Sequence, residues 1–411
     1  MKNRVRFFVG LMLVIVLASS AFLTVGAVLE KDTAISKFYS YDEMLLCISH
    51  RGDTVEYPEN SLAAVESALK KGADFVSVSL DKTKDGVFCL CERESLGNVC
   101  NAPAENLSEL NFSEIEKYRL LDVYGKETEY RMTSLVELIK NTDSKDGIIL
   151  DVLPEDKDAV YDVLSENNAL DRFVIRVQES ASKLAKWADG KDEKVYVIAV
   201  YGGNIIFSTI SAINSMTESG MPAVQYESKN YFNVAYGDFF SNRYLYSINA
   251  RAIAATYSPD LCGQRGDDSD SWNELIGKDY SVIETNNIEA FVAYRNEAER
   301  LKKAITELLG RAFYVDPTGY SQVSLSNLEK AKLYAESVVS SPVFSLGEAQ
   351  QAYSKLVFAL GEMKISTGEV DTRGALNVTA GKVVAAVLVG AALLCGQIYV
   401  FKMRKTEEKK N

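Results

Sequence analysis

From Met44 onward, short apolar runs alternate with stretches whose apolar positions recur every three or four residues. The runs are Met44–Ser49, Phe75–Leu80, Ile148–Leu153, Phe173–Val177, Val195–Val200, Ala223–Tyr226, Ala252–Tyr257 and Ser281–Glu284. Short, nearly continuous apolar runs are the pattern of strands buried on both faces. Amphipathic stretches lie between them, among them Ser61–Lys71, Thr133–Lys140, Asp156–Asn167 and Ser180–Ala188. Repeated strand-then-helix units predict a parallel sheet, and eight of them predict a closed (β/α)₈ TIM barrel, an α/β fold. The barrel is placed over residues 42–298, with its least regular units between Gly190 and Asn249.

After Asn287 the pattern is wholly helical. One helix is predicted over Ile288–Phe313, with Phe291, Leu301, Ile305, Leu308 and Leu309 on its apolar side. A second is predicted to start at the capping box of Ser326 and Glu329, and a third at that of Ser345 and Glu348. In the third, Ala349, Ala352, Tyr353, Leu356, Ala359, Leu360 and Met363 keep the helical period. Three such helices predict a small bundle over residues 299–366, followed by a linker at 367–382.

Two longer apolar runs flank these domains. Phe7–Leu29 follows Lys2, Arg4 and Arg6, and Val383–Phe401 precedes Lys402, Arg404, Lys405, Lys409 and Lys410. Each can cross a bilayer as a helix of about 20 residues. The basic residues lie on the outer flank of both runs, which predicts N- and C-terminal transmembrane helices with both termini cytoplasmic. Residues 1–29 are then a membrane anchor, or a signal peptide cleaved near Val25-Gly26-Ala27. Residues 383–401 form the second span and 402–411 a basic cytoplasmic tail. On either reading the main domains are extracytoplasmic on the cell membrane, with the lipid bilayer as a partner.

The formal net charge is -12 and no basic stripe runs through the folded region. Nucleic acid is excluded as a partner, because phosphate-backbone binding leaves a Lys/Arg footprint. Outside the second apolar run stand Cys47, Cys89, Cys91, Cys100 and Cys262. The first three fall in strand-like runs, where a small buried hydrophobe is the common role. A Cys100–Cys262 bridge is one option in an oxidising compartment. No cysteine spacing matches a zinc site.

The most informative stretch is Ile48-Ser49-His50-Arg51-Gly52, then Tyr57-Pro58-Glu59-Asn60-Ser61, Gly72-Ala73-Asp74 and Thr83-Lys84-Asp85-Gly86. In order and spacing these motifs resemble those of the glycerophosphodiester phosphodiesterase family. The resemblance is strong to Asp151 and fainter as far as Tyr294. Asn106–Leu110 looks like the family's insertion, and Thr133-Ser134-Leu135 like a helix start. The helical region resembles the FIVAR module of bacterial surface proteins, carried by Tyr320, Ser324, Leu328, Ala331, Ala335, Val338, Ala352, Leu356 and Leu360.

The resemblance implies a barrel that hydrolyses glycerol-linked phosphodiesters. A divalent cation would grip the phosphate, two histidines would act as general acid and base, and an arginine would hold phosphate oxygens. The family's Glu-x-Asp metal pair falls on Ser77 and Ser79, its second histidine on Glu92, and its strand-three lysine on Leu153. Its third metal carboxylate falls on Asp151, and its Trp-Thr pair, more loosely, on Ala255-Thr256. His50 is the only histidine in the chain, so no relocated histidine replaces the missing one.

His50, Arg51 and Glu92 are therefore the catalytic candidates, as family remnants or replacements. Arg51, Glu59, Ser77 and Ser79 are the ligand-binding candidates. Glu59 and Asn60 are read as fixing the loop into the first helix, with Asn60 as its cap. No metal is expected unless the site has been rebuilt, in which case Asp81 and Asp151, with Glu92, would gather around Ca²⁺ or Mg²⁺.

Three functions follow. The first is a catalytically impaired phosphodiesterase-like barrel that binds a glycerophosphate lipid, a cell-wall polymer or another anionic envelope ligand. The second is an active phosphoric diester hydrolase with rearranged ligands. The third is a structural subunit of a membrane complex.

Overall fold

The computed structural model describes residues 33–40, 44–92, 96–103, 106–202, 221–229, 242, 245 and 250–363. Both predicted membrane spans, the linker at 367–382 and Cys395 lie outside these residues. Among the described residues no helix is long and apolar enough to cross a membrane.

A short helix, α1 (Ser36–Tyr39), precedes the barrel. The first barrel strand, β1 (Leu46–His50), leads to α2 (Leu62–Lys70) and β2 (Phe75–Lys82). An insertion follows, with β3 (Phe88–Leu90) antiparallel on β2, and β4 (Arg119–Leu121) paired with β5 (Glu127–Arg131). Then come α3 (Leu135–Lys140), β6 (Gly147–Val152), α4 (Lys157–Glu166), β7 (Phe173–Val177), α5 (Ala181–Asp189), β8 (Tyr196–Gly202) and β9 (Ala223–Glu227). β10 (Arg251–Ala255), α6 (Ser269–Ile276) and β11 (Val282–Thr285) complete the barrel.

The strand order is β1-β11-β10-β9-β8-β7-β6-β2, and β2 pairs again with β1, which closes eight parallel strands. All eight predicted strands form. β1, β7 and β10 are buried along their whole length, as apolar runs covered on both faces require.

Side-chain alternation divides the interior into two levels. The lower level holds Leu46, Ile48, Phe75, Ile149, Val174, Tyr196, Ile198, Ala223, Ile253 and Val282. Phe38 of α1 plugs the lower end, its ring 4.3 Å from that of Phe75. Arg251 ties the plug down by donating to the carbonyls of Phe38 (2.8 Å) and Ser40 (2.6 Å). Two residues further along six of the eight strands the same inward face carries polar groups: His50, Ser77, Asp151, Arg176, Gln225 and Glu284. Period-two alternation thus places an apolar floor beneath a polar mouth at the C-terminal strand ends.

The helix starts correct one expectation. Ser61, not Asn60, caps α2, accepting from the Ala64 N–H at 3.1 Å. Asn60 instead sits at φ 56° and accepts from the Ser79 N–H at 3.0 Å. A left-handed residue cannot take the extended conformation of an N-cap, and asparagine tolerates that region better than most.

The described residues fall into two compact units. One runs to Leu301 and takes in Ser340–Ala349, and the other comprises Lys302–Val339 and continues from Gln350. The second is built from the end of α7 (Ile288–Phe313), from α8 (Gln322–Ser340) and from most of α9 (Leu346–Gly361). α8 starts before the predicted box at Ser326, because Ser321 supplies the first turn by accepting from the Ser324 N–H. The box at Ser345 forms as predicted: Ser345 accepts from the Glu348 N–H, and Glu348 from the Ser345 N–H. Ser324, Leu328, Ala331, Ala335, Val338, Ala352 and Leu356 are buried, while Tyr320 and Leu360 are half-buried.

The Cys100–Cys262 bridge does not form. Cys47, Cys89, Cys91, Cys100 and Cys262 are all free and buried. Cys89, Cys91 and Cys100 belong to the insertion's own apolar cluster with Leu96, Leu107, Ile115 and Leu120. The Cys262 thiol lies 3.3 Å from the Arg265 carbonyl.

Candidate active site

The site begins with the turn after β1. His50 ends the strand, and Arg51 and Gly52 then take left-handed backbones at φ 60° and 86°. Gly52 cannot be another residue without movement, since a Cβ there would lie 2.7 Å from the Ala64 carbonyl carbon. The Arg51 N–H bonds the Ser77 carbonyl and the Asn60 N–H bonds the Arg51 carbonyl, so β2 and the loop before α2 fix the turn. A non-glycine residue held at positive φ is a mark of functional sites.

Arg51 meets two carboxylates. Its Nη1 donates to both oxygens of Glu59 at 3.0 Å, and its Nη2 to Glu92 Oε2 at 2.7 Å. The same Glu92 oxygen accepts from the Ser79 hydroxyl at 2.6 Å. Glu92 stands just beyond β3, which lies antiparallel on β2 and so brings it beside Ser79. Burial works against the Arg51 charge, but Glu59 and Glu92 outweigh it and hold its pKa above the ordinary value.

Deeper in the mouth lies a second network, centred on Glu284 of β11 and Arg176 of β7. Glu284 is fully buried and accepts from His50 Nδ1 at 3.1 Å and from the Ser77 hydroxyl at 2.6 Å. Arg176 donates from Nη1 to Glu284 Oε2 at 2.6 Å and from Nη2 to Oε1 at 2.9 Å. It also grips both oxygens of Asp151, at 2.5 and 2.8 Å, and Gln225 Oε1 at 2.6 Å. Burial alone would raise the Glu284 pKa. The Arg176 charge and the hydrogen bonds from His50 and Arg176 reverse this and hold it well below the usual carboxylate range.

Because Glu284 is a carboxylate, it can only accept, so His50 carries a proton on Nδ1. The imidazole also stacks on Tyr257, with centroids 3.5 Å apart and planes 7° from parallel. Burial, reinforced by the Glu284 charge, raises the Tyr257 pKa and keeps its hydroxyl protonated. Nearby, Glu227 has a raised pKa, from burial only partly offset by Gln225 and Arg176.

The structure brings His50, Ser77 and Asp151 into the deep network and Arg51, Glu59, Ser79 and Glu92 into the outer one. Asp81 joins neither: it lies at the end of β2, where it accepts from the Lys82 N–H at 2.8 Å. Thr256 is drawn away as well, donating to Asp267, which also accepts from Thr285 and the Asn286 N–H. Asp74 is structural: it accepts from the Cys47 N–H and Lys37, and pairs with Arg295.

Sequence reasoning missed Arg176, Gln225, Glu284 and Tyr257. The available signal was a charged or amide residue inside an otherwise apolar buried strand, in phase with the inward positions. Arg176 in Phe173–Val177 is the clearest case.

The residues at the expected metal positions do not fit a divalent cation. Hard cations take several free carboxylate or carbonyl oxygens. Here the Ser77 and Ser79 hydroxyls are donated to Glu284 and Glu92, and both Asp151 oxygens are held by Arg176. Asp81, Glu92 and Asp151 do not gather. Among the described residues no three His, Cys, Asp or Glu groups are placed to share a metal.

Residues 50–197 match the sequence model of the Glycerophosphoryl diester phosphodiesterase family. Over those residues the chain is similar to that family. A glycerophosphodiester phosphodiesterase of Caldanaerobacter subterraneus subsp. tengcongensis is 27% identical over 140 residues, which are 32% of this chain and 56% of that protein. Human glycerophosphodiester phosphodiesterase 1 is 32% identical over 76 residues, 17% of this chain and 23% of that one. The chain thus spans about half or less of the curated relatives it matches. The crystal structure of a glycerophosphoryl diester phosphodiesterase from Parabacteroides distasonis superposes with a TM-score of 0.51 at 20% identity, covering 64% of this chain and 90% of that one. That likeness establishes the shared fold.

Proposed function

We propose that this protein is a membrane-held, extracytoplasmic phosphodiesterase-like barrel that does not hydrolyse glycerophosphodiesters and serves as a binding or scaffold module. One observation carries the reading. Glu92, at the position of the second catalytic histidine, is an ionic partner of Arg51 and Ser79. A general acid or base must be free to exchange a proton with substrate. Glu92 instead holds the arginine that would grip the phosphate. His50 is fixed in place, its Nδ1 on Glu284 and its face on Tyr257, and as the only histidine it has no second imidazole to work with. The apolar runs at Phe7–Leu29 and Val383–Phe401 support the membrane attachment.

A ligand contact at Arg51 is favoured by one feature: its guanidinium stands at the barrel mouth with its side chain 20% exposed. The class suggested by the family is a glycerophosphate lipid or wall polymer. Glu59 and Glu92 oppose an anion there, so such binding is weak and salt-sensitive. The names of the relatives support the rival reading, an active hydrolase. It requires Glu92 and Asp151 to leave their arginines and join Asp81 around a cation.

The test is turnover of glycerophosphodiesters by the purified protein with Ca²⁺, Mg²⁺, Mn²⁺ or chelator, beside His50→Ala. No turnover is expected under any condition. Cation-dependent turnover that His50→Ala abolishes would overturn the proposal. Glycerophosphate binding lost in Arg51→Ala would assign the ligand contact.

A further inference from the structure

We infer that the Arg176 guanidinium is a built-in cation that does the charge-balancing work of a metal ion at the centre of the barrel mouth. The inference goes beyond the preceding reading, since a barrel without a metal could still act on substrate by another route.

A guanidinium has five N–H groups. Those of Arg176 meet five acceptors: Nε and Nη2 on Asp151, Nη1 and Nη2 on Glu284, and Nη1 on Gln225. None is left for solvent or ligand, and the side chain is 3% exposed. The surrounding atoms are two carboxylates and one amide oxygen, the hard donor set that a calcium or magnesium ion takes. They come from β6, β9 and β11, so one charge ties strands on several sides of the barrel.

The charges agree with this assignment. The resemblance implies three carboxylates around a divalent cation, a net charge of one negative. Here Asp151 and Glu284 surround a single positive charge, again one negative. Ser77 and Ser79 stand where two carboxylates are implied, and Ser77 donates to the same Glu284 oxygen that Arg176 holds. Burial alone would lower the Arg176 pKa, but Asp151 and Glu284 raise it well above the ordinary value, so the charge is permanent. Removing the guanidinium would leave Asp151 and Glu284 uncompensated, with Glu227 close enough to feel both charges.

The experiment follows thermal unfolding of the full protein with chelator or with Ca²⁺, Mg²⁺ or Mn²⁺, in wild type and in Arg176→Met. It needs no substrate, so its outcome is separate from that of the hydrolysis assay. The wild-type midpoint is expected to be the same in all conditions. That of Arg176→Met should fall in chelator and rise by about 5–10 °C in cation at a hundredfold excess over its dissociation constant. A wild-type rise in cation that Asp151→Asn abolishes overturns the inference. So does a folded Arg176→Met that ignores every cation. If Arg176→Met does not fold in any condition, Arg176→Lys decides: it keeps the charge but not the five-donor fork. A lysine variant that folds in chelator and is unmoved by cation supports the inference, because a retained charge alone sustains the site, and one that fails to fold or is stabilised by cation overturns it.

Discussion

Glu284 on the last barrel strand and His50 on the first are joined by a 3.1 Å hydrogen bond from the imidazole Nδ1, although 234 residues separate them in sequence. Strands β1 and β11 are neighbours, so this bond lies across the seam where the barrel closes. The only histidine of the chain is therefore part of the closure.

Acid should weaken this closure. Arg176 and His50 hold the Glu284 pKa below its ordinary value of 4.5. A group with a depressed folded-state pKa stabilises fully above its unfolded value and loses that contribution as pH falls toward the folded one. In urea titrations the advantage of wild type over Glu284→Gln should stay constant from about pH 8 to about pH 5 and shrink below about pH 4.5. Near neutrality it should be about 3–5 kcal/mol, because the variant leaves the buried Arg176 charge half-compensated. An advantage that grows in acid would contradict the charge assignment.

Gly52→Ala should destabilise the barrel and loosen the mouth. A left-handed backbone costs an L-residue about 1–2 kcal/mol, and here the new Cβ would also meet Ala64 at 2.7 Å. The turn must shift and carry Arg51 with it. Urea unfolding should show a loss above about 2 kcal/mol. A variant as stable as wild type would mean that the turn is free to move.

The thiols should be inert in the native protein. Burial pushes Cys89 up to about 12 and Cys262 to about 11, and raises Cys47, Cys91 and Cys100 as well. The thiolate is the nucleophile, and at about pH 8 only about one Cys262 in a thousand carries it. Mass spectrometry after alkylation should find these five unmodified until denaturant is added, and stability should be unchanged by reductant. Native labelling of Cys100 or Cys262 would contradict their burial.

The eight strands were legible in the sequence because each is a nearly continuous apolar run, the signature of burial on both faces. The motifs around His50, Arg51, Asp74 and Ser77 were legible because they lie close together in sequence. The deep network was not. Arg176, Gln225 and Glu284 come from separate strands, and only barrel closure brings them together. A single buried arginine inside Phe173–Val177 gives no indication of its partners. Asn60 illustrates the opposite failure: its residue type suits a helix cap, but the left-handed turn next to Gly52 claimed its backbone first.

The outer network gives the most direct probe of whether Glu92 is a partner or an acid. Arg51 and Glu92 side chains are 20% and 28% exposed, so their 2.7 Å ion pair is partly screened by water. A double-mutant cycle with Arg51→Ala and Glu92→Gln should give a coupling of about 1 kcal/mol in low salt. The coupling should diminish toward zero at about 1 M salt, where screening reaches contact distances. Arg51→Ala alone should cost more than Glu92→Gln alone, since it strands both Glu59 and Glu92. Glu92→Gln keeps an oxygen for the Ser79 hydroxyl. Independent, additive effects of the two substitutions would break the pairing on which the non-hydrolytic reading stands, and would return Glu92 to the candidates for proton transfer.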